Sequence, residues 1–210
     1  MANNFFNKTN RNVSADHNLP TYVYTVPTSK KTIVIELDVA NRSTASQTIS
    51  VLIDDFTAKG SNIASTAATI SSNTIVSATH GFTTGDVVRL TKSGSTAIRV
   101  SGAEPATAGN NTDPVYYVIV ATASTFKLAS SHSNATAGTA LTVTGTTANA
   151  DIWNTLAFTY IVRDAPIPIG GALKVIAGQK LVMEATDSMI VQTSSANSVD
   201  SIASILEDVS

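Results

Sequence analysis

The chain has no cysteine among its 210 residues, which excludes disulfides, thiolate metal ligands and thiol nucleophiles together. Charge is scarce as well. Asp, Glu, Lys and Arg make up 13% of the residues and leave a formal net charge of -2. Nucleic-acid binding rests on Lys and Arg neutralising phosphates, so this balance provides no electrostatic footprint for it, and no nucleic-acid partner is expected. Nowhere do about eighteen apolar residues follow one another, the run that a membrane-crossing helix needs. The first twenty residues also lack the apolar stretch of a signal peptide. The sequence therefore predicts synthesis in the cytosol and no membrane partner.

What is present is a folded, strand-rich composition. Hydrophobic residues are 43% of the chain, ample for a core, while aromatics are only 6% and Ser, Thr, Ala and Val abound. Residues 156–192 carry the clearest pattern. Short apolar runs at 156–162, 172–176, 180–185 and 188–192 are separated by Pro, Gly or Asp. Within them Leu156, Phe158, Tyr160 and Val162, then Leu181 and Met183, then Met189 and Val191, alternate with the period of strands that bury one face. Pro166 and Pro168 put residues 165–171 at an edge or in a crossing loop. Upstream, residues 21–26, 32–40 and 47–53 read as a three-stranded meander, with Ile33, Ile35, Leu37 and Val39, then Ile49, Val51 and Ile53, facing inward.

Between these halves the pattern changes. Residues 58–72 and 145–151 are small, polar and aperiodic and read as two linkers. They bracket strands of their own at 74–76, 86–91, 115–121, 125–128 and 140–143. The expected organisation is an N-terminal arm at 1–20, a discontinuous antiparallel β-sandwich of 21–58 plus 151–210, and an inserted small β module at 59–150. Insertion into a hairpin is thermodynamically mild, because loop closure costs grow logarithmically, but it requires the flanking strands to pair. The strands at 49–53 and 156–162 should therefore run antiparallel as neighbours. Residues 201–209 are expected to form a closing strand. Ile35, Leu37, Val51, Phe158, Tyr160, Leu181 and Met183 are the expected core.

No chemistry-bearing constellation emerges. His17, His80 and His132 have neither metal-ligand spacing nor a Ser-containing elbow beside them and read as solvated turn residues. Asp54 and Asp55 point to opposite faces of a strand and cannot share a substrate. Asp86, Asp113, Asp151, Asp164 and Asp187 fall in expected turns, where Asp caps backbone amides. No catalytic, cofactor-binding or metal-ligating residue is assigned, and no cofactor. Two aromatic sets invite an interaction reading. Phe5 and Phe6 stand in an otherwise Asn-rich tail, so they mark either a frayed end or an arm that docks on a neighbouring subunit; the subunit contact is the expectation adopted. Trp153, with Tyr116, Tyr117 and Tyr160, offers a stacking platform for a sugar ring, set against the plainer reading that these aromatics pack in a core or against a linker.

Two stretches resemble known families. The segment VYTVP at 23–27, with TIVIELDVAN at 32–41, APIPIGGAL, GQKLVMEATDSMIV and the closing SIASILE, resembles β-sandwich structural proteins of tailed-bacteriophage virions. HGFTTGDVV at 80–88 with YYVIVATASTFKLA at 116–129 is similar to a small β-barrel module of phage tail and fibre proteins, a relative of which is inserted in ubiquitin-activating enzymes. The resemblance implies an Ig-like or jelly-roll-like sandwich with an inserted barrel facing outward. It also implies a non-enzymatic, symmetric accessory component of the virion, on capsid, neck or tail, whose partners are copies of itself and other virion proteins. The alternative is a carbohydrate-binding adhesin or receptor-binding module of the particle, meeting a host surface glycan through Trp153 or Tyr116.

Overall fold

The computed structural model describes residues 4–60, 62–92, 98–102, 113–148 and 151–207. Before the insertion come β1 (Asn4–Asn10), β2 (Thr21–Thr25), β3 (Thr32–Asn41) and β4 (Gln47–Asp54). The insertion holds β5 (Ile63–Ala64), β6 (Ala68–Thr69), β7 (Ile75–Val76), β8 (Val87–Thr91), β9 (Arg99–Val100), β10 (Val115–Thr122), β11 (Thr125–Ala129), the short helix α1 (His132–Thr136), β12 (Val143–Thr144), β13 (Thr146–Thr147) and β14 (Ile152–Leu156). After it come β15 (Phe158–Ile167), β16 (Ala172–Ile176), β17 (Leu181–Met183), β18 (Ser188–Thr193) and β19 (Val199–Glu207). The fold is all-β and antiparallel. Two compact units divide it, Met1–Ala58 with Ala157–Ser210 as host and Lys59–Leu156 as insert.

In the host, one sheet runs β1-β19-β3-β16 with β17 also on β3, and the other runs β15-β4-β18-β2. Alternation drives one face of each into a shared core. Val34, Leu37, Val39, Met183, Ala203 and Ile205 meet Val23, Tyr24, Ile49, Val51, Met189 and Val191 there, which makes the host a sandwich. The strands on either side of the insertion pair as hairpin neighbours, with Phe158 opposite Asp54 and Tyr160 opposite Leu52. The Asp55 N–H donates to Ala157 O at 3.1 Å, and the Ala157 N–H donates to Asp54 Oδ1 at 3.1 Å, so the chain leaves and re-enters at one point.

Several expectations are corrected. The Asn-rich tail is no free arm: β1 pairs with β19 over seven residues without a register break, from Asn4 opposite Glu207 to Asn10 opposite Ser201. Val13 beyond it is fully buried and its N–H donates to Val199 O. The tail lacks alternation because an edge strand satisfies its backbone by pairing, whatever its side chains. In β3 the core side is Thr32, Val34, Leu37 and Val39, because Ile35 is the extra residue where the pairing steps from Val34–Ile205 to Glu36–Ser204. That bulge turns Ile33 and Ile35 outward. Leu37, Val51 and Met183 are buried as expected, whereas Ile35, Phe158, Tyr160 and Leu181 are only half-buried.

The two expected linkers carry strands. β6 pairs with β13, and β5 pairs with β14, so the ends of the insert zip together. Two-residue strands are too short to show a period. β14 also pairs with β8 over five residues, which moves the second boundary from 151 to 157 and gives Trp153 to the insert. The insert has its own core, including Ile75, Phe82, Leu90, Tyr116, Phe126 and Trp153. Its six-stranded sheet, β5-β14-β8-β10-β11-β7, is open among the described residues rather than the closed barrel that the resemblance implies. Residues 1–3 of the expected arm, and 61 and 149–150 of the expected linkers, lie outside the described residues.

The bulge and the insertion each make a testable statement. Leu37→Ala should cost about 2–5 kcal/mol through transfer and cavity terms, and Ile35→Ala less than about half of that; equal losses in denaturant titrations would restore unbroken alternation in β3. Replacing residues 59–156 by a short Gly/Ser linker should leave a host that melts cooperatively, since the ends to be joined already touch. A non-cooperative product would mean that the host depends on the insert.

Candidate functional site

Aspartates expected in turns do close turns. The Thr83 N–H donates to Asp86 Oδ2, the Ala148 N–H to Asp151 Oδ2 and the Glu184 N–H to Asp187 Oδ2, at 2.8, 2.9 and 2.8 Å. Each Asp N–H returns a bond to the carbonyl three residues back, and each Asp sits directly before a strand: β8, β14 and β18. These carboxylates are spent on backbone. Asp164 is different: it lies inside β15 with φ of 50°, at a bulge, and its N–H donates to Ser50 Oγ. Among the described residues no three His, Asp or Glu side chains are grouped to hold a metal. No helix there is long and apolar enough to cross a membrane.

His80 departs from the solvated-turn expectation. It is 4% exposed, Nδ1 accepts the Phe82 N–H, and Nε2 donates to Thr122 O at 2.8 Å, so both ring nitrogens hold loops together. Its ring stacks on Phe82 at 5.2 Å and meets Phe126 edge-on at 5.5 Å. Phe126 in turn meets Trp153 edge-on. Trp153 is fully buried and its Nε1–H donates to Ser65 Oγ, and Tyr116 is buried in the same core. Neither presents a ring face to a sugar, so the glycan contacts expected of Trp153 and Tyr116 are withdrawn.

Phe5 and Phe6 split between the faces of β1. Phe6 points inward against the core and meets Tyr24 edge-on at 6.0 Å, with Lys8 Nζ 5.4 Å from its centroid. Tyr24 is the hub of this corner. Its hydroxyl donates to Glu207 Oε1 at 2.6 Å, and Lys30 Nζ donates to Glu207 Oε2 at 2.5 Å. Burial, then the bond to Glu207, pushes the Tyr24 phenol up to about 12. Lys30 first and Tyr24 second hold the Glu207 carboxyl below its ordinary range. Phe5 points the other way and is 62% exposed.

On that outward face the register lines up apolar side chains across the sheet. Phe5 is opposite Leu206, Leu206 opposite Ile33 and Ile33 opposite Val182, which is 61% exposed. A parallel row holds Thr9, Ile202, Asp38 and Lys174. The bulge at Ile35 is what delivers Ile33 to this side. Every large apolar side chain that is exposed among the described residues belongs to the host unit. The row ends at β1, whose far edge pairs with no other strand among the described residues. The other edges of the host's two sheets are blunted. β15 has Pro166 and two register breaks, β16 has one, β17 is three residues long, and β2 is short with a break opposite Met189.

Compared with known protein families, curated proteins and solved structures, the chain matches none. The resemblance to phage structural proteins rests on the sequence stretches that carry it.

The Tyr24–Glu207–Lys30 cluster makes stability pH-dependent at both ends. A depressed Glu207 pKa contributes stability above the ordinary Glu value that is lost as pH falls through the folded value. A Tyr24 pKa raised from 10.0 to about 12 means the loss of about 2–3 kcal/mol as pH climbs across that window. Tyr24→Phe should be less stable than the parent at neutral pH, with the gap closing above pH 10. Melting curves that keep the gap constant to pH 12 would remove Tyr24 from this role.

Proposed function

We propose that this chain is a non-enzymatic structural protein of a tailed-phage particle, an accessory component on capsid, neck or tail that works as symmetric copies of itself. The observation that carries the reading is the apolar row running out to the undefended edge of β1. A regular seven-residue edge strand, whose alternate backbone groups point away from β19, beside exposed apolar side chains, is a template for strand addition. The occupant is a second copy. Antiparallel pairing of two β1 strands about a two-fold at Asn7 sets Phe5 opposite the second copy's Thr9, whose cross-strand neighbour is the exposed Ile202, so one further apolar side chain stands across the junction. A net charge of only -2 per chain opposes that approach weakly. A second reading, carbohydrate recognition by the particle, loses Trp153 and Tyr116 but keeps a polar recess around Gln192.

The self-association is directly measurable. Light scattering after gel filtration should give a concentration-dependent dimer or larger assembly for the parent chain. Phe5→Lys combined with Ile202→Lys should give a monomer of nearly unchanged melting temperature, because both side chains are exposed. A parent that stays monomeric at every concentration, or a double variant that still associates, would sink the β1 interface.

A further inference from the structure

The outer face of the host's four-stranded sheet carries two neighbouring rows of different chemistry. Tyr22, Ile190, Leu52 and Tyr160 face one another in register; Ile190 and Leu52 are fully buried, and the tyrosines at the two ends are half-buried. One pleat further, Gln192 is opposite Ser50, and Asp164 reaches the same place from the β15 bulge. There a recess of about 90 Å³ opens, lined also by His17, Thr48 and Ser194. Ser50 Oγ accepts the Asp164 N–H at 3.0 Å and lies 3.4 Å from Asp164 Oδ1. Ser194 Oγ accepts the Thr48 N–H and donates to Gln47 Oε1, so the walls are tied down.

Gln192 is not tied down. It is 1% exposed, yet neither its Nε2 nor its Oε1 has a hydrogen-bond partner. A buried amide left without partners costs about 1–3 kcal/mol per group, so its retention on a β-strand that would accept an apolar residue calls for a use. The amide offers one donor side and one acceptor side from a fixed floor. Around it stand hydroxyls and one carboxylate. Asp164 is largely exposed at the rim, with Arg163 Nε 3.5 Å from Oδ2, and no Lys or Arg lines the recess itself.

We infer that this recess binds the hydroxyl edge of a neutral sugar, with Gln192 and Asp164 meeting adjacent hydroxyls. A carboxylate without a lining cation disfavours phosphate or carboxylate ligands. Paired donors and acceptors at close spacing match vicinal hydroxyls, each of which both donates and accepts. The volume suits one edge of a pyranose rather than an oligosaccharide buried whole. The site stands whether or not the chain belongs to a virion, and it uses none of the β1 surface.

Nuclear magnetic resonance of the ¹⁵N-labelled full chain tests it, with the Gln192 side-chain amide pair identified by its disappearance in Gln192→Met. Glucose, galactose, mannose and N-acetylglucosamine are titrated separately, with inorganic phosphate as the contrasting probe. At least one sugar should shift the Gln192 amide saturably, and phosphate should not. Asp164→Asn, which keeps a residue that tolerates the left-handed backbone, should weaken that sugar about tenfold. Gln192→Met should abolish binding while raising the melting temperature, because an unpartnered amide becomes an apolar side chain of similar shape. No saturable shift from any of the four sugars would overturn the assignment. So would undiminished binding in Gln192→Met or a preference for phosphate. Should Gln192→Met fail to fold, unchanged affinity in Asp164→Asn overturns it.

Discussion

The host stands on β4. This strand sits inside its sheet with β15 on one side and β18 on the other, and β15 arrives only after the whole insert has been traversed. If β4 and β15 did not find each other, the second sheet would lose its longest strand and β4 would become an edge. The surroundings secure that meeting. The Asp54 carboxylate accepts the Ala157 N–H on the returning strand, and Asp187 Oδ1 accepts the Phe56 N–H on the departing one. Asp54 is buried at the end of β4, so its bond is made away from competing water. The pair of adjacent aspartates in the sequence is thus a clasp at the mouth of the insertion, with Asp55 turning its own carboxylate onto the Thr57 and Ala58 amides.

Much of this could be read from the chain, and the reasons for the misses are specific. β4 and β18 were legible because each keeps one apolar parity against one core, as Ile49, Val51, Met189 and Val191 do. β3 was not. Residues 33, 34 and 35 are all β-branched and apolar, so the sequence carries no mark of the parity change at Ile35; the change exists only because β19 skips a residue there. β1 was missed for the opposite reason, since NFFNKTN buries little and is held by its ladder to β19. Trp153 and His80 show a third limit. A single aromatic or histidine in a small-residue region carries no period, and its burial follows from long-range partners such as Ser65 and Thr122.

The candidate surfaces were the least legible. Phe5 is conspicuous in the sequence, but the row it begins includes Leu206, Ile33 and Val182, which come together only through three registers and a bulge. Gln192 could not be singled out at all, because a glutamine at the end of an apolar run reads as the wet side of a strand. Its significance comes from burial without partners. The same bulge logic serves both faces of the host: the extra residue at Ile35 supplies the apolar row, and the distortion at Asp164 supplies a wall of the polar recess. Irregularity in these ladders is where the sheets acquire surface chemistry.

The pairing of β1 with β19 also governs how the chain reaches its structure. The first described strand lies along the last, with Asn4 opposite Glu207, so the host's first sheet closes only when the chain through Glu207 is available. Contacts of such sequence separation make folding slow. The insert, by contrast, closes on itself within Lys59–Leu156, and during vectorial synthesis it is complete while half of the sandwich is still missing. Once folded, it is a compact unit whose ends are zipped by β5–β14 and β6–β13. β4 and β15 then search for each other across a tether far shorter than the sequence between them, and the insert serves as a folding jig for the unit that carries it.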